Sequence, residues 1–111
     1  MLFGNKTEKI QKLIEKKNEK GLIALVGDKD KQVRLSAIAG IGKVGTDDGF
    51  NCLVPMLGDA DPEIRAAAAS ALGALGNIHA RAHLSFHMKS ETDENVKAAI
   101  QNALGMIRDD S

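Results

Sequence analysis

Three histidines lie close together in the sequence at the spacing of metal ligands on a helix. Residues 79–87 read HARAHLSFH, and His79, His83 and His87 stand four positions apart. Four residues make about one helical turn, so the imidazoles would share one helix face, where such a pair can chelate Zn²⁺ or Ni²⁺. A protein zinc site normally has further ligands, and residues 79–89 contain no Cys, Asp or Glu. The alternative is a polar, solvent-exposed face, which we favour, so no metal site is predicted.

Composition and charge exclude several classes of function. The 111 residues suffice for one small domain, and 43% hydrophobic with 27% charged residues is the balance of a folded protein. With three Phe and neither Trp nor Tyr, the chain offers no stacking surface for single-stranded nucleic acid. Basic and acidic side chains number 15 each, so no net positive charge attracts nucleic acid, and such a partner is not expected.

The charge distribution and the single cysteine bear on partners and location. Residues 1–50 hold 10 basic and 7 acidic side chains, but the lysines of residues 6–20 alternate with glutamates, which is typical of a solvated helix face. Cys52 is the only cysteine, which excludes an internal disulfide and fits a reducing compartment. No apolar run approaches the roughly 18 residues of a membrane span. We therefore expect a cytoplasmic protein without a membrane partner.

The chain repeats itself at an interval of 31 residues. Residues 25–45 and 56–76 are identical at seven of 21 aligned positions. The identities are Gly27/Gly58, Asp28/Asp59, Asp30/Asp61, Arg34/Arg65, Ala37/Ala68, Gly42/Gly73 and Gly45/Gly76. A third copy, residues 91–108, follows at an interval of 32. A unit of this length, copied three times, is typical of a solenoid.

Each copy carries the signals of two helices. In the middle copy, Asp61 is placed as the N-cap, Pro62 occupies the first helical position, and Gly76 ends the helix. Asp30 and Asp93 stand at the equivalent starts in the other two copies. Shorter helices are predicted before these, at about 19–26, 48–57 and 79–89, and an N-terminal helix at about 6–17.

The repeats predict the fold class. A hairpin of about 31 residues cannot bury both of its helices alone, whereas stacked hairpins share one continuous core. We predict an all-α protein: an α-α superhelix, or solenoid, of about three helical hairpins plus an N-terminal capping helix, with the second helices on the concave side. A single domain is expected over residues 1–111. Its predicted divisions are the cap at 6–17 and repeats at 18–45, 46–76 and 77–108.

The repeated pattern D-x-D-x-x-[VI]-[RK]-x-x-A-x-x-[GA]-[LI]-G-x-[LVI]-G resembles the HEAT repeat, especially the short variant of the phycobilisome-lyase-like family. The resemblance covers about residues 18–108. The third copy departs from the pattern, with Glu91, Lys97, Ile100 and Arg108 in place of Asp, Arg, Ala and Gly. The resemblance implies a scaffold or adaptor, although a few such proteins are lyase or chaperone subunits for chromophore attachment.

The resemblance also implies a polar ladder between repeats. In the family, the first Asp of the pattern and the Arg or Lys six positions later hold each loop against its helix. The matching pairs in this sequence are Asp28/Arg34, Asp59/Arg65 and, in weaker form, Glu91/Lys97. We expect these pairs to be structural rather than an ion-binding row.

The repeat register predicts how the 79–89 helix faces. Positions expected to be buried in the middle repeat map to Arg81, Leu84, Ser85 and Met88, and the histidines lie on a different side of the helical wheel. The histidines are therefore expected to point away from the core. Phe86 lies on the histidine side, where it either packs on the preceding repeat or marks a contact surface.

A partner surface is predicted on the concave face of the stack. The position after the Arg or Lys of each copy is apolar, and these residues are Leu35, Ala66 and Ala98. Ile38 and Ala69 are expected to add to the same side. We predict a shallow apolar ridge that receives a helix or extended peptide of another protein, or a second copy of this chain. The alternative is that these alanines only favour helix formation.

These observations favour a non-catalytic protein–protein interaction or scaffold module. The sequence offers no Ser-His-Asp candidate, no glycine-rich loop between a strand and a helix, and no buried carboxylate pair, so an enzyme is not expected. No cofactor is expected either. Two alternatives stay open: an accessory subunit of a chromophore-lyase-like or other enzyme, and a metal-binding protein using His79, His83 and His87.

Overall fold

Helices make up the regular structure of residues 5–108, the part of the chain that the computed structural model describes. Within this range none of the helices has the length and apolar character needed to cross a membrane. In chain order the elements are α1 (Lys6–Glu15), α2 (Glu19–Leu25), α3 (Lys31–Val44), α4 (Asp47–Leu53), a 3₁₀ helix (Val54–Gly58), α5 (Pro62–Leu75), α6 (Ala80–Met88) and α7 (Glu94–Met106).

The helix starts of the repeats are capped as predicted. The side chains of Asp30, Asp61 and Asp93 each accept a hydrogen bond from a backbone N–H of the first turn of α3, α5 and α7. These bonds satisfy amide groups that have no partner within the helix. Gly76 ends α5 in the left-handed conformation, with a φ of 71°. The predicted second helices are thereby confirmed at their starts.

Two helices are shorter than predicted: the first helix of the second repeat and the N-terminal helix. The predicted helix at 48–57 divides into α4 and the 3₁₀ helix, because Pro55 has no N–H to donate and its ring collides with the carbonyl of the preceding turn. The predicted N-terminal helix at 6–17 ends at Glu15, because Lys17 adopts a left-handed φ of 54°. The prediction of one continuous helix at 48–57 is therefore wrong, whereas the predicted N-terminal helix is present and ends two residues earlier than expected.

One apolar core runs through the whole stack. Leu22, Leu53 and Leu84, one from each first helix, are fully buried. The same cluster extends from Ile10 in α1 to Ile107, just after α7. The hairpins α2–α3, α4–α5 and α6–α7 therefore share a single interior, with α1 packed against α3 at one end. The predicted all-α solenoid is confirmed.

The second helices form the tighter layer of the stack. They contact one another far more extensively than the first helices do. A Cβ added to Gly42 would lie 3.0 Å from the Cα of Ala71, and one added to Gly73 would lie 2.8 Å from the Cα of Ala103. Such spacing requires glycine on one side of each contact. The side of the stack formed by α3, α5 and α7 is called its inner side below.

Candidate interaction surface

The predicted apolar ridge does not form a surface. Ile38 and Ala69 are fully buried, and Leu35 and Ala66 are half-buried against the core. Only Ala98 is exposed. The prediction that all five residues present an accessible ridge is therefore wrong.

The ridge residues face the neighbouring repeat instead of the solvent. Ile38 lies on α3 where it packs on α5, and Ala69 lies on α5 where it packs on α7. The equivalent residue of the third copy is Gln101, which is exposed because no described helix packs on that side of α7. Ala98 is exposed for the same reason, so its exposure belongs to the end of the stack.

The open inner face of the second helices carries small side chains. A groove of about 260 Å³ runs between α3 and α5, and its walls are almost entirely carbon. Its lining residues are Ala39, Gly42, Lys43, Ala67, Ser70, Ala71 and Ala74. The groove exists because helices that approach through glycine and alanine leave no long side chains to fill the space between their outer edges.

A second groove continues this surface toward the N-terminal helix. It has a volume of about 210 Å³ and lies between α1 and α3. Ala39 and Lys43 line both grooves. A larger, more polar depression of about 550 Å³ lies beyond it, at the starts of α1 and α3. The two narrower grooves therefore form one apolar track across α1, α3 and α5.

Lys43 places a positive charge beside this apolar track. Its side chain is exposed, and within residues 5–108 its ammonium takes part in no ion pair. The other exposed residues of α3 are Gln32, Ser36 and Ala39, and all three are uncharged. The track thus combines carbon walls with one free cation.

In the predicted polar ladder, the arginines bond to backbone carbonyl oxygens, whereas bonds to the Asp side chains were expected. The Nη1 atoms of Arg34 and Arg65 donate to the carbonyl oxygens of Asp28 and Asp59, each at 2.8 Å. Each guanidinium also reaches the carbonyl oxygen of the next loop residue, at 3.2 Å. The loops are held against α3 and α5 by these bonds.

Carboxylates join each unit to the next along the chain. Lys6 pairs with Asp28 at 2.9 Å, and this bond lowers the pKa of Asp28. Lys31 pairs with Asp61 at 2.8 Å, which lowers the pKa of that carboxyl. Both pairs lie at the surface, where an ion pair contributes little to stability.

The strongest of these links joins Arg65 to Glu91. Arg65 donates from Nε and Nη2 to the two carboxylate oxygens, each at 2.9 Å, and the side chains are 18% and 5% exposed. This bond holds the pKa of Glu91 below its ordinary value and raises that of Arg65. Lys97 pairs with Glu94 at 3.3 Å. The predicted Glu91/Lys97 pair is therefore wrong, because the preceding repeat already occupies Glu91.

Glu19 forms a junction that the sequence reading missed. One of its oxygens accepts hydrogen bonds from the backbone N–H groups of Thr46 and Gly49, each at 2.7 Å, and the other accepts one from the Thr46 hydroxyl at 2.8 Å. The carboxylate of α2 thus caps the start of α4. A Cβ at Gly49 would lie 2.6 Å from that carboxylate, so glycine is needed there. The motif Thr46-x-x-Gly49 at a helix start is the sequence feature that could have indicated this capping contact.

Glu19→Gln is expected to lower the free energy of unfolding by about 1.5 kcal/mol at neutral pH, because an amide cannot accept all three bonds. Burial raises the pKa of Glu19, but the bonds from Thr46 and Gly49 outweigh it and leave the pKa lowered. A lowered pKa contributes stability above the ordinary value and loses it as the pH falls through the folded value. Urea unfolding should therefore separate the two proteins at pH 7 and show a smaller difference between them at acidic pH.

The control for this prediction is Glu15→Gln, which changes an exposed glutamate of α1. It should leave stability within about 0.5 kcal/mol at either pH. Equal stability of the Glu19→Gln protein and the parent at pH 7 would contradict the capping role.

Arg81 closes the other end of the stack. It occupies the position of Phe50 in the preceding repeat, and its Nη1 donates to the carbonyl oxygens of Leu104 and Ile107 at 2.9 and 2.8 Å. These carbonyls lie at the end of α7, where no intrahelical donor is available. The polar replacement in the last repeat therefore caps a helix terminus.

The three histidines do not converge on one point. His79 sits at the N-cap of α6 and is exposed, as is His83, whose ring meets Phe50 edge-on with a centroid distance of 6.2 Å. His87 is half-buried. Among residues 5–108 no group of three or more His, Cys, Asp or Glu side chains could hold a metal ion. Within one copy, the three histidines therefore do not form such a group.

Phe86 lies on the outer surface of the stack. Its side chain is 66% exposed, and its ring meets the neighbouring His87 ring edge-on, with centroids 5.4 Å apart. The expectation that it packs on the preceding repeat is wrong. Its role as a contact residue stays a prediction.

Comparison with known families agrees with the stacked hairpins. The family model described as HEAT repeats matches residues 19–105, which begin at α2 and reach almost to the end of α7. No curated protein sequence matches the chain. The match leaves α1 outside, in keeping with a helix that covers the first hairpin. Since it spans most of the 111 residues, the chain belongs to the HEAT-repeat family.

Proposed function

We propose that this chain is a non-catalytic interaction module that receives an amphipathic helix of a partner protein on the inner face of its second helices. HEAT repeats commonly serve as scaffolds for protein interactions, which supports the general class. The observation that carries the proposal is the apolar groove between α3 and α5, which stays open although its walls are carbon. An apolar groove between helices is a surface into which an amphipathic helix packs its apolar side.

The dimensions and charge of the track suggest the chemistry of the partner. The α3–α5 groove is walled mainly by alanine and glycine, so it suits short or medium aliphatic side chains spaced along one helix face. The α1–α3 groove adds Ile10 and Ile14 beside polar side chains of α1 and α3. Lys43 lines both grooves, and a carboxylate on the partner helix would complement it. We therefore expect an apolar stripe with an acidic residue beside it.

The absence of an enzymatic role is part of the proposal. An enzyme site needs titratable groups that converge on a pocket. Among the described residues 5–108, Lys43 is the only ionisable one that lines the α3–α5 groove. The lining therefore gives neither Lys43 nor the Ser70 hydroxyl a second titratable group to exchange a proton with.

The proposal is tested with helical peptides selected by phage display on the immobilised protein. Bound peptides should shift the backbone amide resonances of α3 and α5 most strongly. Ala39→Glu and Ala74→Glu, both at exposed positions, should weaken the peptides at least tenfold, because each places a charge in the apolar track. That factor corresponds to about 1.4 kcal/mol.

Ala98→Glu is the matched control, since Ala98 is exposed on α7 away from the grooves. Its affinity for the same peptides should equal that of the parent, and all three variants should keep the parent's helicity. Peptides that map to another surface, or that bind the two groove variants as tightly as the parent, would show the proposed function to be wrong.

A further inference from the structure

The outer face of α6 carries an unusual apolar stripe. Ile78 and Phe86 are 44% and 66% exposed, and Ala82 lies exposed midway between them. Ala82 and Phe86 lie one turn apart on α6, and Ile78 lies in the turn before the N-cap His79, four positions before Ala82. The three residues therefore line one side of α6 and the turn that leads into it. Large apolar side chains that are exposed in a row indicate a contact surface more strongly than single ones do.

The equivalent positions of the earlier repeats lack this stripe. They are Lys16, Lys20 and Ala24 in the first repeat and Asp47, Asn51 and Pro55 in the second. The solenoid therefore does not require apolar residues there. The stripe is a property of α6 alone.

We infer that a second copy of the chain covers this stripe, and that the pairing assembles a site for a divalent transition ion from His79 and His83 of both copies. The stripe is complementary to itself, with a small residue at its centre and a large one at each end. When two α6 helices run antiparallel about Ala82, Ile78 of one copy lies opposite Phe86 of the other. Phe86 lies about 6 Å along α6 from Ala82, at 1.5 Å per residue, and Ile78 lies four positions from Ala82 on the other side, in the turn before α6. Such a two-fold contact uses the same surface on both copies.

The same pairing completes a set of metal ligands. His79 and His83 are exposed, lie one turn apart and flank the stripe on one side, because each follows a stripe residue directly in sequence. A two-fold axis perpendicular to the paired helices keeps the second copy's pair on that same side, near Ala82. One chain supplies two imidazoles, whereas two chains supply four, which is the ligand number that Zn²⁺ takes in tetrahedral sites.

His87 does not belong to this set. It is half-buried, and its ring lies near the backbone of Gly58 in the preceding repeat and against the edge of Phe86. Phe50 packs edge-on against His83 and limits the orientations of that ring. The four ligands are thus the two exposed histidines of each copy.

The size of the stripe makes the pairing depend on the ion. Stable protein interfaces bury roughly 1,000 Å² or more in total, and three side chains from each copy bury less than that. The apolar contact alone should therefore be weak. Each copy lacks two of the four ligands, so tight binding of the ion requires the pairing. The weak apolar contact in turn requires the ion.

Sedimentation equilibrium of the full chain with Zn²⁺ alone as the probe tests this inference. The parent should be a monomer in EDTA and a dimer with one Zn²⁺ per two chains. His83→Ala should remove the zinc dependence, and Phe86→Glu should raise the dimer dissociation constant at least tenfold. His87→Ala, the matched control on the same helix, should dimerise like the parent.

The other outcomes overturn the inference. A chain that stays monomeric while it binds Zn²⁺ would show an adventitious ion only, and a chain that ignores Zn²⁺ would exclude the site. A dimer that persists in EDTA and in the His83→Ala variant would show that the ion has no part in the pairing. The exchanged residues are exposed or half-buried, so circular dichroism should confirm unchanged helicity in each variant.

Discussion

Gly73→Val is expected to lower the free energy of unfolding by about 3 kcal/mol, the upper end of what overpacking costs. A Cβ at Gly73 would lie 2.8 Å from the Cα of Ala103 and 3.0 Å from its Cβ. The nearer atom belongs to the backbone of α7 and cannot turn aside as a side chain does, so α5 and α7 must move apart. Urea unfolding followed by circular dichroism measures the loss.

Gly105→Ala is the matched control for this prediction. Gly105 occupies the position of Gly73 in the last repeat, but within residues 5–108 no atom other than its chain neighbours and its own helix backbone lies within 4 Å of where its Cβ would be. Alanine is favoured over glycine in a helix, so this variant should gain about 0.5 kcal/mol. A similar gain from Gly73→Ala would show that the contact between α5 and α7 tolerates a side chain and that its closeness is unimportant.

The same glycines connect the fold to the proposed binding surface. Gly42 and Gly73 let the second helices approach until their backbones touch, while the first helices stay further apart. The groove between α3 and α5 is the space left along the outer edge of such a close contact. A substitution that separates the helices would therefore alter the groove as well as the stability.

The helices of the fold could be predicted because their signals are local. Asp30, Asp61 and Asp93 each combine a capping side chain with a following apolar pattern, and both act within one turn. The repeat also predicted the tertiary packing, since leucines at equivalent positions of stacked hairpins must share one core. The break at Pro55 was equally local, and the missing N–H was sufficient to predict it.

The candidate surface could not be predicted in the same way. In α5, alanine occupies buried and half-exposed positions alike, as Ala66 and Ala69 show, so hydrophobicity gives no contrast between faces. Register tells which residues are equivalent, but it does not tell which neighbour each one meets. Leu35 and Ile38 were therefore assigned to an open face when they pack toward the next repeat.

The links between repeats were hidden for a different reason. Glu19 and Thr46 are 27 residues apart, and Arg65 and Glu91 are 26 apart, so no local pattern joins them. One clue did exist, because Glu91 stands where the other copies have Asp. Its extra methylene lets it reach the arginine of the preceding repeat. Within residues 5–108, Asp59 makes no such ion pair with Arg34.

Arg65→Ala is accordingly expected to lower the free energy of unfolding by about 2–3 kcal/mol, somewhat less than the loss of a fully buried pair. It leaves the Glu91 side chain, only 5% exposed, without its guanidinium. It also frees the carbonyl oxygens of Asp59 and Ala60, which Arg65 holds. Urea unfolding at neutral pH measures the difference from the parent.

Arg34→Ala separates the contribution of the loop carbonyl bonds from that of the ion pair with Glu91. Arg34 makes the equivalent bonds to the carbonyl oxygens of Asp28 and Lys29 but has no carboxylate partner, so its loss should cost only about 1 kcal/mol. The excess for Arg65 then belongs to Glu91, whose pKa is held down chiefly by the Arg65 bond. A lowered carboxyl pKa contributes stability at neutral pH and loses it as the pH falls through the folded value, so the excess should be smaller at acidic pH than at neutral pH. If the Arg65 and Arg34 variants lose equal stability at neutral pH, the link between the second and third repeats contributes nothing beyond the loop bonds.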